Sequence, residues 1–137
     1  MPELPEVESV RRDLVRRRLK GARVVRVRTS GKPLRMNTPV PAAALGKAAR
    51  GRRVTGVARI GKYLLVEIDG PSSVMVHLGM TGNLLLVPRH QEWAPHTHVV
   101  FELEDGRDLR FVDPRRFGMV DIVTRGRERE HVALAEL

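Results

Sequence analysis

The 137-residue sequence contains no cysteine, so neither a disulfide nor a cysteine-ligated zinc site can form in it. No apolar run approaches the roughly 18 residues that a membrane-spanning helix requires. The amino terminus is acidic and then amphipathic, without the apolar stretch of a secretory signal. No repeat or low-complexity segment is visible. These absences point to one cytoplasmic, globular domain, long enough to bury about two-thirds of its unfolded surface.

Acidic residues are also short of balance. Twenty-five Lys and Arg stand against sixteen Asp and Glu, a formal charge of +9, and most of the cations are arginine. The planar guanidinium suits bidentate contact with phosphate or guanine. The charge points to nucleic acid before membrane, because the helices lack a bulky apolar insertion face. An arginine-rich coding background produces the same balance, so composition alone leaves both readings open.

Patterning predicts a mostly β fold with some α: an antiparallel β-sandwich with a long N-terminal helix and a short second one. Residues 5–20 read as the first helix, with Pro5 at its start, Val7, Val10, Leu14 and Leu19 as its apolar face, and Gly21 as its stop. Its arginines lie largely elsewhere, as on a solvated face. Residues 41–50 form the second helix. Strands are predicted at 22–28, 52–60, 62–69, 73–79, 83–88, 97–104, 107–113 and 117–124. Close spacing and turn signals at Gly70-Pro71-Ser72, Thr81-Gly82-Asn83 and Asp105-Gly106 argue for meanders. Residues 89–96 form a polar loop with His90, Trp93 and His96, and the tail from Arg125 is charged, then weakly helical.

Four places carry chemistry. Pro2 is small enough for Met1 to be removed, leaving a secondary amine that keeps a neutral, nucleophilic fraction near pH 7, with Glu3 beside it. Most Met-Pro pairs signify trimming alone. Lys62, in Gly61-Lys62-Tyr63, reads either as an edge lysine or as a phosphate and proton-transfer group. Met80, in His77-Leu78-Gly79-Met80-Thr81-Gly82, is either a packed gap-filler or a probe on a tight turn. Asp113-Pro114-Arg115-Arg116-Phe117-Gly118 is either an ordinary turn or an aromatic wedge flanked by arginines. His96 and His98 flank Thr97, so in a strand they share one face; no third metal ligand accompanies them, and the pair reads as phosphate contacts or surface residues.

Taken together, PELPEVE at 2–8, GKYLL at 61–65, HLGMTG at 77–82, HTHV at 96–99 and DPRRFG at 113–118 resemble the formamidopyrimidine-DNA glycosylase family. Leu4 and the RRF loop set the chain apart from the related endonuclease VIII branch. The resemblance implies Pro2 as the nucleophile on C1′ of a damaged nucleotide and Glu3 as the acid/base for sugar opening. It implies Lys62 as a phosphate contact and proton donor, and Met80, Arg115 and Phe117 as the trio that fills the space of the everted nucleotide. His77, His96 and Arg116 look like DNA-backbone contacts.

The partner so implied is double-stranded DNA carrying oxidised bases or abasic sites, bound by a monomer with no metal or redox cofactor in this chain. Residues 1–124 then form the catalytic domain and 125–137 start a connector. The family's helix–two-turn–helix and its four-cysteine zinc finger have no counterpart in the sequence. Two alternatives are a non-catalytic damaged-DNA-binding module and an endonuclease VIII-like enzyme for oxidised pyrimidines. A third is a basic protein binding nucleic acid through charge alone.

Overall fold

The computed structural model describes residues 4–34 and 40–137, with only the backbone of Leu4. The elements are α1 (Leu4–Arg16), β1 (Val24–Thr29), α2 (Ala42–Ala49), β2 (Val54–Ile60), β3 (Tyr63–Ile68) and β4 (Ser72–His77). They continue with β5 (Asn83–Pro88), β6 (Thr97–Leu103), β7 (Arg107–Val112), β8 (Met119–Thr124) and α3 (Glu128–Ala135). The strands form two four-stranded antiparallel sheets in the orders β1-β6-β7-β5 and β2-β3-β4-β8.

The expected sandwich is present, and each of the eight expected strands is found. Strand order departs from a plain meander. Thr81-Gly82-Asn83 carries the chain from one sheet to the other, and β8 returns to pair with β4. Val24, Val99, Phe101, Leu103 and Leu109 from one sheet meet Leu64, Val66, Ile68, Val74 and Val76 from the other. Tyr63, Leu65, Met75 and Val123 occupy the opposite face of the second sheet, partly covered by Val132 of α3. This explains the continuous apolar runs of β3 and β4: both their faces are buried.

The helices cover sheet edges, which would otherwise expose unpaired backbone groups. α1 lies against β2 and β5, and α2 against β1 and β8. Thus α1 and α2 each bridge edge strands of both sheets. Among the described residues no helix is long and apolar enough to cross a membrane.

α1 ends at Arg16, four residues earlier than its pattern predicts. In a continued helix Leu19 would lie about 140° round from Leu14. Instead Arg18 takes a left-handed φ of 60°, Leu19 N–H donates to the Leu14 carbonyl at 3.1 Å, and both leucines are buried. Arg107 caps the helix by donating to the carbonyls of Arg17 (2.6 Å) and Arg18 (3.0 Å). That donor is supplied from β7, so local pattern cannot reveal the stop.

Candidate nucleic-acid interface

Sheet register gathers the candidate residues at one end of the sandwich. Tyr63 pairs with His77, and His77 with Met119. The Gly61-Lys62 hairpin tip, the 78–82 turn and the 113–118 loop therefore emerge side by side. In the other sheet Thr97 and Asn83 both pair with Val112, which brings the end of the 89–96 loop to the same place. Lys62 sits in the hairpin turn rather than in a strand. Arg59 ties this tip to α1 through the Glu8 carboxylate at 3.1 Å and the Gly61 carbonyl at 2.9 Å. Glu8 also accepts from Arg11 and Arg12, and these cations hold its carboxyl well below the ordinary range despite partial desolvation. Pro2 and Glu3, which precede α1, lie outside the described residues.

The two central loops are locked together by buried polar groups. The Asp113 side chain is fully buried and accepts from Thr81 Oγ1 at 2.8 Å and Gly118 N–H at 2.8 Å. Arg115 N–H donates to Thr81 Oγ1 at 3.3 Å. A methyl group on Gly79 would meet Gly118 N at 2.5 Å and Phe117 C at 2.6 Å, so the two backbones touch where only hydrogen fits. Beneath them His98 is buried. Its Nε2 lies 3.0 Å from the Asp113 carbonyl, which only accepts, so Nε2 carries the proton and Nδ1 accepts from Ser30 Oγ at 2.9 Å. Burial pushes this imidazole below its usual range; Asp113 opposes the shift, and Arg116 and Lys32 add to it.

On that frame two large apolar side chains face outward. Met80 is 48% exposed and Phe117 is 43% exposed. The Arg115 guanidinium lies over the Phe117 ring at 4.6 Å. The tucked alternatives for Met80 and Phe117 are therefore not what the fold adopts. Arg116 donates to the Pro33 carbonyl at 3.1 Å and has φ of 55°; exposed His96 has φ of 67°. These two are, with Arg18, the described non-glycine residues with positive φ. Such backbone states persist where surrounding contacts impose them and often mark functional sites.

Two expectations change. His96 lies in the turn before β6 while His98 points into the protein, so the two do not share a face. His77 is only 2% exposed: its Nδ1 accepts from Gly79 N–H at 3.0 Å and its ring packs edge-on to Tyr63, placing it beneath the 78–82 turn. Sequence reasoning read His98 as a phosphate contact or a surface residue, whereas it is buried, and assigned no role to Thr81 or Asp113. An aspartate before proline, with glycine closing the loop, is the one local cue to the last. Among the described residues no three His, Cys, Asp or Glu side chains gather as a metal site.

The molecule is thus an antiparallel β-sandwich domain that presents an arginine-flanked aromatic and a methionine together at one end. The family model for the formamidopyrimidine-DNA glycosylase N-terminal domain matches residues 1–120. The formamidopyrimidine-DNA glycosylase of Herpetosiphon aurantiacus is 45% identical over 125 residues, covering 91% of this chain and 45% of that protein. That of Acidiphilium cryptum is 41% identical over 137 residues, covering 100% of this chain and 47% of that protein. The Lactococcus lactis enzyme in complex with DNA containing an abasic site superposes with a TM-score of 0.86 at 26% identity, covering 99% of this chain and 49% of that one. The chain belongs to the formamidopyrimidine-DNA glycosylase family, and it spans about half the length of the relatives it matches.

Proposed function

We propose that this chain is the catalytic domain of a bifunctional DNA glycosylase and abasic-site lyase of base-excision repair, acting on oxidised purines in double-stranded DNA. The observation that carries this reading is the exposed Met80, Arg115 and Phe117 set, held on interlocked loops at the end that also bears Lys62. A base inside a duplex must leave the stack before chemistry, at a cost of a few kcal/mol. Rigidly held apolar side chains offset part of that cost by filling the gap. Relatives bound to abasic-site DNA and to DNA containing formamidopyrimidine-dG support the choice of lesion class.

In the proposed reaction the Pro2 nitrogen bonds to C1′ as the glycosidic bond breaks, and the base leaves with the electron pair and takes up a proton. The amine loses its proton and Glu3 protonates O4′, so the sugar opens and the C1′–N bond becomes an iminium. The iminium acidifies C2′–H; loss of that proton expels the 3′ phosphate, which Lys62 contacts and assists by proton donation. Water then hydrolyses the iminium, which frees Pro2 and the cleaved strand. Borohydride should therefore trap a covalent adduct with abasic or 8-oxoguanine duplex. A retained Met1 should abolish trapping while leaving binding nearly intact. Phe117→Ala should weaken lesion-duplex binding without changing folding. Absence of an adduct with processed Pro2 and an abasic duplex would leave the non-catalytic binding module as the better reading.

A further inference from the structure

We propose that Arg110 is a positioning residue: its buried guanidinium sets the path of the 89–96 loop and so holds His96 at the DNA-facing end. The proposal rests on the reading that this end receives DNA. It starts from an anomaly in β7. Leu109 and Phe111 point into the core, so Asp108 and Arg110 alternate onto the outer face of the sheet, normally wet. Yet Asp108 is 1% and Arg110 2% exposed.

What covers them is the loop itself, wrapped around the guanidinium. Arg110 Nε and Nη2 donate to Asp108 Oδ2 at 3.1 and 2.9 Å. Loop carbonyls take further bonds: Nη2 also reaches Gln91 at 2.7 Å and Arg89 at 3.2 Å, which share one N–H, and Nη1 donates to Glu92 at 3.2 Å. Beyond them Arg28 lies over the Trp93 ring at 4.8 Å, and Thr97 Oγ1 donates to the Ala94 carbonyl at 2.6 Å. The loop then ends at His96, whose carbonyl accepts from Asp113 N–H at 3.0 Å. A continuous set of contacts thus runs from the buried ion pair to the left-handed His96 and on to the aspartate that locks the wedge.

Stability alone does not call for such a pair, because apolar replacements of similar volume often serve as well. Direction does. A guanidinium presents five N–H donors in a fixed plane, and here they turn three carbonyls of an otherwise irregular loop toward one point. An ammonium in the same place has no such fork.

The test is a double-mutant cycle with a duplex carrying a stable abasic-site analogue, read as Kd by anisotropy, with thermal melting alongside. Arg110→Lys and His96→Ala should each raise Kd about tenfold, roughly the loss of one charge-assisted contact. The two together should bind no worse than His96→Ala alone. Should Arg110→Lys fold poorly, the paired Asp108→Leu, Arg110→Met change removes both charges together and should give the same Kd pattern. Losses that multiply in the double variant would overturn the proposal, as would wild-type binding by either single variant. Borohydride trapping by the unaltered protein reports separately on the catalytic reading.

Discussion

Gly79→Ala tests whether the two wedge loops are held as one rigid unit. Gly79 has φ of 63°, and an added Cβ would lie 2.5 Å from Gly118 N and 2.6 Å from Phe117 C. The left-handed backbone alone costs a non-glycine residue roughly 1–2 kcal/mol. The contact adds an overpacking cost of about 1–3 kcal/mol, because backbone rather than a flexible side-chain end stands in the way. Gly106→Ala isolates the first part, since Gly106 has φ of 89° and nothing within 4 Å of an added Cβ. Denaturant unfolding should therefore show Gly79→Ala more destabilised than Gly106→Ala by about 1–3 kcal/mol. Separation of the loops should also loosen the Gly118–Asp113 hydrogen bond and lower affinity for an abasic duplex, whereas Gly106→Ala should bind normally. Equal destabilisation by the two substitutions would refute the close loop contact, and with it the rigid wedge.

His98 and His96 yield two further predictions. The His98 imidazole is held below its ordinary value by burial, so the unfolded chain binds more protons than the native one as pH falls below about 6.5. Its contribution is complete above that pH and lost progressively below it. The lowered carboxyls of Glu8, Asp105, Glu128 and Glu130 act only at more acidic pH, where unfolded carboxylates protonate. Melting temperature should therefore fall between pH 6.5 and 5, and His98→Asn should flatten that slope; an unchanged slope would remove His98 as its source. At His96 the positive φ predicts that His96→Gly is more stable than His96→Ala by about 1 kcal/mol, while both bind an abasic duplex equally weakly. Equal stability of the two variants by thermal melting would argue against strain there.

Much of this protein can be read from its residues in order. The apolar run 84–87, bounded by the Gly82-Asn83 turn and Pro88, places β5 correctly, and the helical spacing of Val7, Val10 and Leu14 identifies the buried face of α1. The turns that carry Lys62, Met80 and Phe117 are legible too, because turn chemistry and side-chain type are local properties. What the order of residues leaves open is whatever depends on partners distant along the chain. Leu19 folds back under Leu14, and Arg107 caps α1 from 89 residues away. Thr81 meets Asp113 across 32 residues, and His98 turns inward to support the same aspartate. Arg110 gathers loop carbonyls up to 21 residues distant. Sequence by itself determined the strands, the basic character and the chemical vocabulary at Pro2, Lys62, Met80 and the RRF loop. Only the tertiary structure decided that Met80 and Phe117 face outward together, because their exposure is imposed by buried hydrogen bonds and backbone contacts between separate loops.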